Sequence, residues 1–83
     1  MAKSKDKAAG TIMARLDLDG VVWADITGDG SQVEFENRQT SGTIPVAGKG
    51  ERSVLVAHTS PGKWTLRLLD EDDHKIDSDT LTI

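Results

Sequence analysis

The chain has no cysteine and no tyrosine, only two prolines, and three aromatic side chains among 83 residues: Trp23, Phe35 and Trp64. Without cysteine there is no disulfide scaffold, no thiolate nucleophile and no Cys-based zinc or iron–sulfur site. A fold of this size then rests on its core alone or on a partner. The longest apolar runs are a few residues, which excludes a membrane-spanning helix, and residues 1–10 lack the apolar stretch of a signal peptide. Positive charge is also short. Ten Lys and Arg against fourteen Asp and Glu leave a net charge of −4, which argues against nucleic acid and anionic lipid as partners. No stretch repeats at helical period.

What remains is enough for one small core. Leu, Ile, Val and Phe number 19 of 83 residues, just above the range in which highly charged chains stay unfolded. Charge divides the chain in two. Residues 1–10, MAKSKDKAAG, form a basic arm with Lys3, Lys5 and Lys7 against Asp6 and no large apolar residue after the initiator Met. Residues 11–83 carry seven Lys and Arg against thirteen Asp and Glu, a balance of −6.

The body alternates in short segments. Thr11 to Asp19 places Ile12, Ala14, Leu16 and Leu18 on one face, Asp19-Gly20 reads as a tight turn, and Val21 to Thr27 returns as the second strand of a hairpin. Gln32 to Arg38 alternates Val33 and Phe35 with Glu34 and Glu36. Thr40-Ser41-Gly42 breaks the pattern before a short strand, Thr43 to Val46, whose Pro45 cannot donate to a central ladder and so marks an edge. A β-branched run from Arg52 to Thr59, a corner at Ser60-Pro61-Gly62, Trp64 to Leu69 and finally Lys75 to Ile83 complete six to seven short strands. The pattern predicts an all-β, antiparallel sandwich with Ile12, Leu16, Val33, Phe35, Val54, Val56, Trp64, Leu66 and Leu68 inside.

The C-terminal third, Ser60-Pro61-Gly62-Lys63-Trp64-Thr65-Leu66-Arg67-Leu68 followed by acidic Asp70 to Asp73 and Asp79 to Ile83, resembles the last strands of an immunoglobulin-like sandwich. In that family a Tyr near the start of the penultimate strand makes a corner contact two residues before a core Cys. Trp64 takes the Tyr position here and Leu66 the Cys position, while Trp23 lies on the second strand where the family's core Trp lies on the third. Small domains of this kind recur as accessory subunits on bacteriophage virions and in bacterial surface proteins. The resemblance therefore implies a non-enzymatic structural or binding protein: a decoration-type subunit of a phage capsid or tail, made in the host cytoplasm and present in the virion, with self-association on the assembly surface open. The alternative is a carbohydrate-binding or adhesin-type module.

Candidate contacts follow from this reading. Lys3, Lys5 and Lys7 can pair with an acidic host surface, and Ala8-Ala9-Gly10 lets the backbone lie close against it. Trp23, with Val21 and Val22 making its strand apolar on both faces, is the leading surface candidate if it points outward. The Pro45 edge is the other. Six carboxylates lie between Asp70 and Asp79, an oxygen density suited to a hard cation, but without the Asp-x-Asp-x-Asp-Gly spacing of a calcium loop they read as a wet turn, and no metal or cofactor is expected. Ser60 near His58 lacks a nucleophile-elbow context, and no enzyme activity is expected.

Overall fold

The computed structural model describes residues 10–83. Seven strands form: β1 (Thr11–Leu16), β2 (Val21–Thr27), β3 (Gly30–Asn37), β4 (Thr40–Gly48), β5 (Arg52–His58), β6 (Lys63–Leu69) and β7 (Lys75–Thr82). They pair antiparallel in two sheets, one ordered β1-β2-β5 and the other β4-β3-β6-β7. The two sheets face each other as a β-sandwich.

Period-2 alternation builds the core. β2 turns Val22, Ala24 and Ile26 inward, β3 contributes Val33 and Phe35, and β6 contributes Trp64, Leu66 and Leu68. Trp64 is fully buried, its ring stacked on Phe35 with centroids 6.4 Å apart. Its indole N–H donates to the carbonyl of Ser60 at 3.0 Å, so the bulkiest core side chain leaves no polar atom unpaired. The same bond ties the β5–β6 corner to the core side chain four residues downstream.

Two expectations for the core need correction. Leu16 is 41% exposed and Leu18 stands fully in solvent, because β1 stops at Leu16 and the turn begins at Asp17 rather than at Asp19. Val54 is only half-buried, packed against the margin of the core. The break expected at Thr40-Ser41-Gly42 is also absent: β4 runs through it. Gly42 pairs with Phe35, and a Cβ there would lie 2.9 Å from the Phe35 ring, so this glycine makes room for an aromatic instead of ending a strand.

The β1–β2 and β6–β7 turns have the same construction. Asp17 Oδ1 accepts from the amides of Asp19 and Val21, and Asp70 Oδ1 accepts from those of Asp72 and His74, all at 2.8–2.9 Å. In each, the aspartate's own amide donates to the carbonyl four residues on, and its carbonyl accepts from the amide three residues on. The fourth position of each turn is left-handed, Gly20 in one and Asp73 in the other, at φ 77° and 66°.

Among the described residues four strands end a sheet, and each carries a device against further pairing. Along β1 the amides of Ile12 and Ala14 donate to the carboxylates of Asp77 and Asp79 on β7, at 2.9 and 2.7 Å, across the gap between the sheets. β4 has Pro45, and Val46 and Ala47 together stand opposite the single Ser31. β5 slips register at Val56 and β7 at Ile76, one extra residue each.

Truncating Trp64→Ala removes the ring that both sheets pack on and is expected to lower stability by about 3–5 kcal/mol, while Trp64→Phe, which loses chiefly the bond to Ser60, should lower it by about 1–3 kcal/mol. Urea denaturation followed by Trp23 fluorescence measures both; a Trp64→Phe variant as stable as the parent would contradict the role of the indole N–H.

Candidate interaction face

The register carries a second set of residues outward. On the exposed face of the three-stranded sheet, Arg15 of β1, Trp23 of β2 and Leu55 of β5 are successive cross-strand partners, and Met13, Asp25 and Ser53 form the adjoining row. Met13 is 62% and Leu55 50% exposed, and Trp23 is half-buried between them. The outward face of the other sheet is different in kind. There Arg67 bridges Glu34 at 3.4 Å and Glu36 at 3.0 Å, an arrangement suited to water.

Polar groups hold Trp23 in place. Its indole N–H donates to Asp17 Oδ2 at 2.6 Å, and the Arg15 guanidinium lies over the ring, 5.6 Å from its centroid. Arg15 is itself held by Asp25 through two bonds, Nε to Oδ2 at 2.7 Å and Nη2 to Oδ1 at 3.1 Å. The Ser53 hydroxyl donates to the same Asp25 Oδ1 at 2.7 Å. Arg15 and Asp25 on this face are therefore paired with each other and Asp17 is held by the indole, and the apolar surface of Met13, Trp23 and Leu55 surrounds this knot. The indole N–H holds the Asp17 carboxyl below the ordinary carboxylate range, helped by the Val21 amide and opposed by partial desolvation. The Arg15 bond, with Ser53 adding to it, lowers the Asp25 carboxyl in the same way.

Of the residues singled out in the sequence, Trp23 lies on this face and Pro45 does not. Pro45 is exposed on the edge strand of the other sheet, opposite Gln32, so the two do not share a surface. Lys3, Lys5 and Lys7 lie outside the described residues. Ser60 and His58 form no dyad, since the Ser60 hydroxyl donates to Asn37 Oδ1 at 3.2 Å and His58 is exposed at the end of β5. Asp70, Asp72 and His74 bring donor atoms within 4.8 Å of one another, but Asp70 Oδ1 is committed to the turn amides described above.

The sequence reading missed Met13, Arg15 and Leu55 on the face, and Arg52 beneath one end of it. Arg52 donates to the carbonyls of Val46, Gly28 and Gly50 at 2.6–2.9 Å and to Gly30 at 3.3 Å, fastening the β2–β3 and β4–β5 turns together. Glycines at 28, 30, 48 and 50, with a lone arginine opening a β-branched run, were the available signal. Comparison with protein-family models, with curated proteins and with solved structures finds no match to this chain.

The lowered Asp17 carboxyl sets a sign for pH dependence. A group whose folded pKa lies below its unfolded value stabilises the fold above the unfolded value, about 3.9 for Asp, and loses that contribution as pH falls through the folded one. Asp17→Asn should therefore be less stable than the parent at neutral pH, with the difference shrinking as pH falls below about 4. Thermal melts across that range check this; a gap independent of pH would contradict the charged role of Asp17.

Proposed function

We propose that the chain is a non-enzymatic binding module of immunoglobulin-like type, an accessory subunit that adds to a larger protein assembly through the outer face of its three-stranded sheet. The observation that carries this reading is the contrast between the two outer faces. One exposes Met13 and Leu55 on either side of a braced Trp23, and the other is a charged lattice of Glu34, Glu36 and Arg67. Exposed apolar surface clustered on a rigid sheet suits a protein contact. The blocked strand edges favour docking by face over docking by strand addition.

The strand order, first-second-fifth facing fourth-third-sixth-seventh, and the Trp64 bond back to Ser60 support the immunoglobulin-like assignment. A phage virion is the setting which that resemblance suggests, with the basic arm as a further contact. For a carbohydrate module Trp23 would need an open ring face, and Arg15 lies across it.

The test is cryo-electron microscopy of particles from the organism encoding the chain, together with binding of point variants. Copies at symmetry-related positions, with Met13→Glu and Leu55→Glu lowering occupancy at least tenfold while the melting temperature stays within a few degrees, are expected. Particle binding unaffected by both substitutions would overturn the assignment of the face, and glycan-array binding lost in Trp23→Ala would replace it with the carbohydrate reading. Deleting residues 2–9 should leave the melting temperature nearly unchanged, because the core lies wholly within residues 12–68 and its partly buried margin within residues 14–81.

A further inference from the structure

The β1–β2 and β6–β7 turns share one set of backbone bonds but differ at their second position, and the comparison isolates Leu18. In Asp70-Glu71-Asp72-Asp73 that position holds Glu71, an exposed charged side chain of the kind a surface turn ordinarily carries. In Asp17-Leu18-Asp19-Gly20 it holds Leu18, whose side chain stands wholly in solvent. The bonds that shape both turns come from the leading aspartate and the backbone, so the turn itself has no use for an apolar group there.

A single exposed leucine carries no message, but Leu18 does not stand alone. Of the five large apolar side chains most exposed among the described residues, Met13, Leu16, Leu18 and Leu55 lie on β1, β5 or the β1–β2 turn, and Ile83 lies elsewhere. The turn is also fastened to the sheet. Asp17 Oδ2 accepts from the Trp23 indole, and the carbonyl of Gly20 accepts from the Thr59 amide just past β5 at 2.8 Å. Leu18 is thus presented on a backbone held from both sides, which avoids the entropy loss of ordering a loop on binding. Charge beside it is negative: Asp17 and Asp19 flank it, and Arg15, the one cation of β1, is bonded to Asp25.

We infer that Leu18 is the anchor of the docking face, entering an apolar pocket on a protein partner whose rim carries Lys or Arg opposite Asp19. The inference rests on the reading of the three-stranded sheet as the docking face, and it adds the chemistry of the partner. The carboxylates that flank Leu18 disfavour a second copy of this chain, whose residues 11–83 are themselves acidic, and they disfavour an anionic lipid surface as well. A basic rim complements them. Burial of Leu18 then governs how long the complex lasts, and Asp19 governs how fast it forms and how it responds to salt.

Leu18→Glu gives the β1–β2 turn the residue that the β6–β7 turn already carries, so the free protein should melt within a few degrees of the parent. On particles that bind the parent chain, Leu18→Glu should lower occupancy about tenfold or more, while Leu18→Met, which keeps the apolar volume, should bind nearly as the parent does. Asp19→Lys should slow association several-fold, an effect that fades as salt rises from about 0.05 to 0.5 M. A melting temperature of Leu18→Glu far below the parent's would make Leu18 a structural residue and overturn the proposal. Full occupancy of Leu18→Glu, with Met13→Glu and Leu55→Glu lost from the particle, would overturn the anchor and leave the docking face standing; full occupancy of all three would overturn both. Concentration-dependent self-association of the parent in sedimentation, abolished by Leu18→Glu, would replace the basic-rimmed partner with a second copy.

Discussion

The structure depends on how a small sandwich closes along its sides. Two sheets of three and four strands have four terminal strands, and each exposes amides and carbonyls that would pair with another chain if left straight and bare. The seam between β1 and β7 answers this within the molecule. Asp77 and Asp79 turn inward from β7 and accept from the amides of Ile12 and Ala14, so an edge strand of one sheet is satisfied by side chains of the other. These two bonds join residues 65 apart in sequence, and they hold the first strand to the last. On the opposite side no such seam is needed, because Pro45 and the extra residues in β4 and β5 make those edges irregular.

Blocked edges shape where a partner can sit. With backbone pairing disfavoured, a contact would fall to side chains on a face, and among the described residues the three-stranded sheet is the one whose outward face clusters exposed apolar groups. Its construction joins local and long-range links. Asp17 shapes the β1–β2 turn through backbone amides and uses its second oxygen to hold the Trp23 indole, so the turn that sets the hairpin register also positions the tryptophan. Arg15 then lies over the ring because its cross-strand partner is Trp23, and Asp25 keeps it there.

Much of the fold was legible in the sequence because it rests on period-2 patterning and turn residues. Val33, Phe35, Trp64, Leu66 and Leu68 alternate cleanly with polar neighbours and are all buried. Leu16 and Leu18 misled because alternation ran on past the point where Asp17 starts the turn, and side-chain capping by an aspartate leaves no periodic trace. Gly42 misled in the opposite sense, as a glycine that clears space for Phe35 from a distant strand looks the same as one that breaks a strand. The face was harder to read. Leu55 is hidden in a run, Val54-Leu55-Val56, in which inward and outward residues are equally apolar, and Asp77 and Asp79 looked like part of an acidic tip until β7 was placed beside β1. Those roles are fixed by pairing between distant segments, which composition and local pattern do not carry.

Hydrogen exchange at the amides of Ile12 and Ala14 tests the seam most directly. In the intact protein both should be protected to a degree comparable with the central-strand amide of Ala24. In Asp77→Ala/Asp79→Ala their exchange should accelerate by roughly ten- to a hundredfold, as expected for local opening of one edge. Rapid exchange of Ile12 and Ala14 in the intact protein, or protection unchanged in the double variant, would contradict the carboxylate seam as the contact that closes the sandwich.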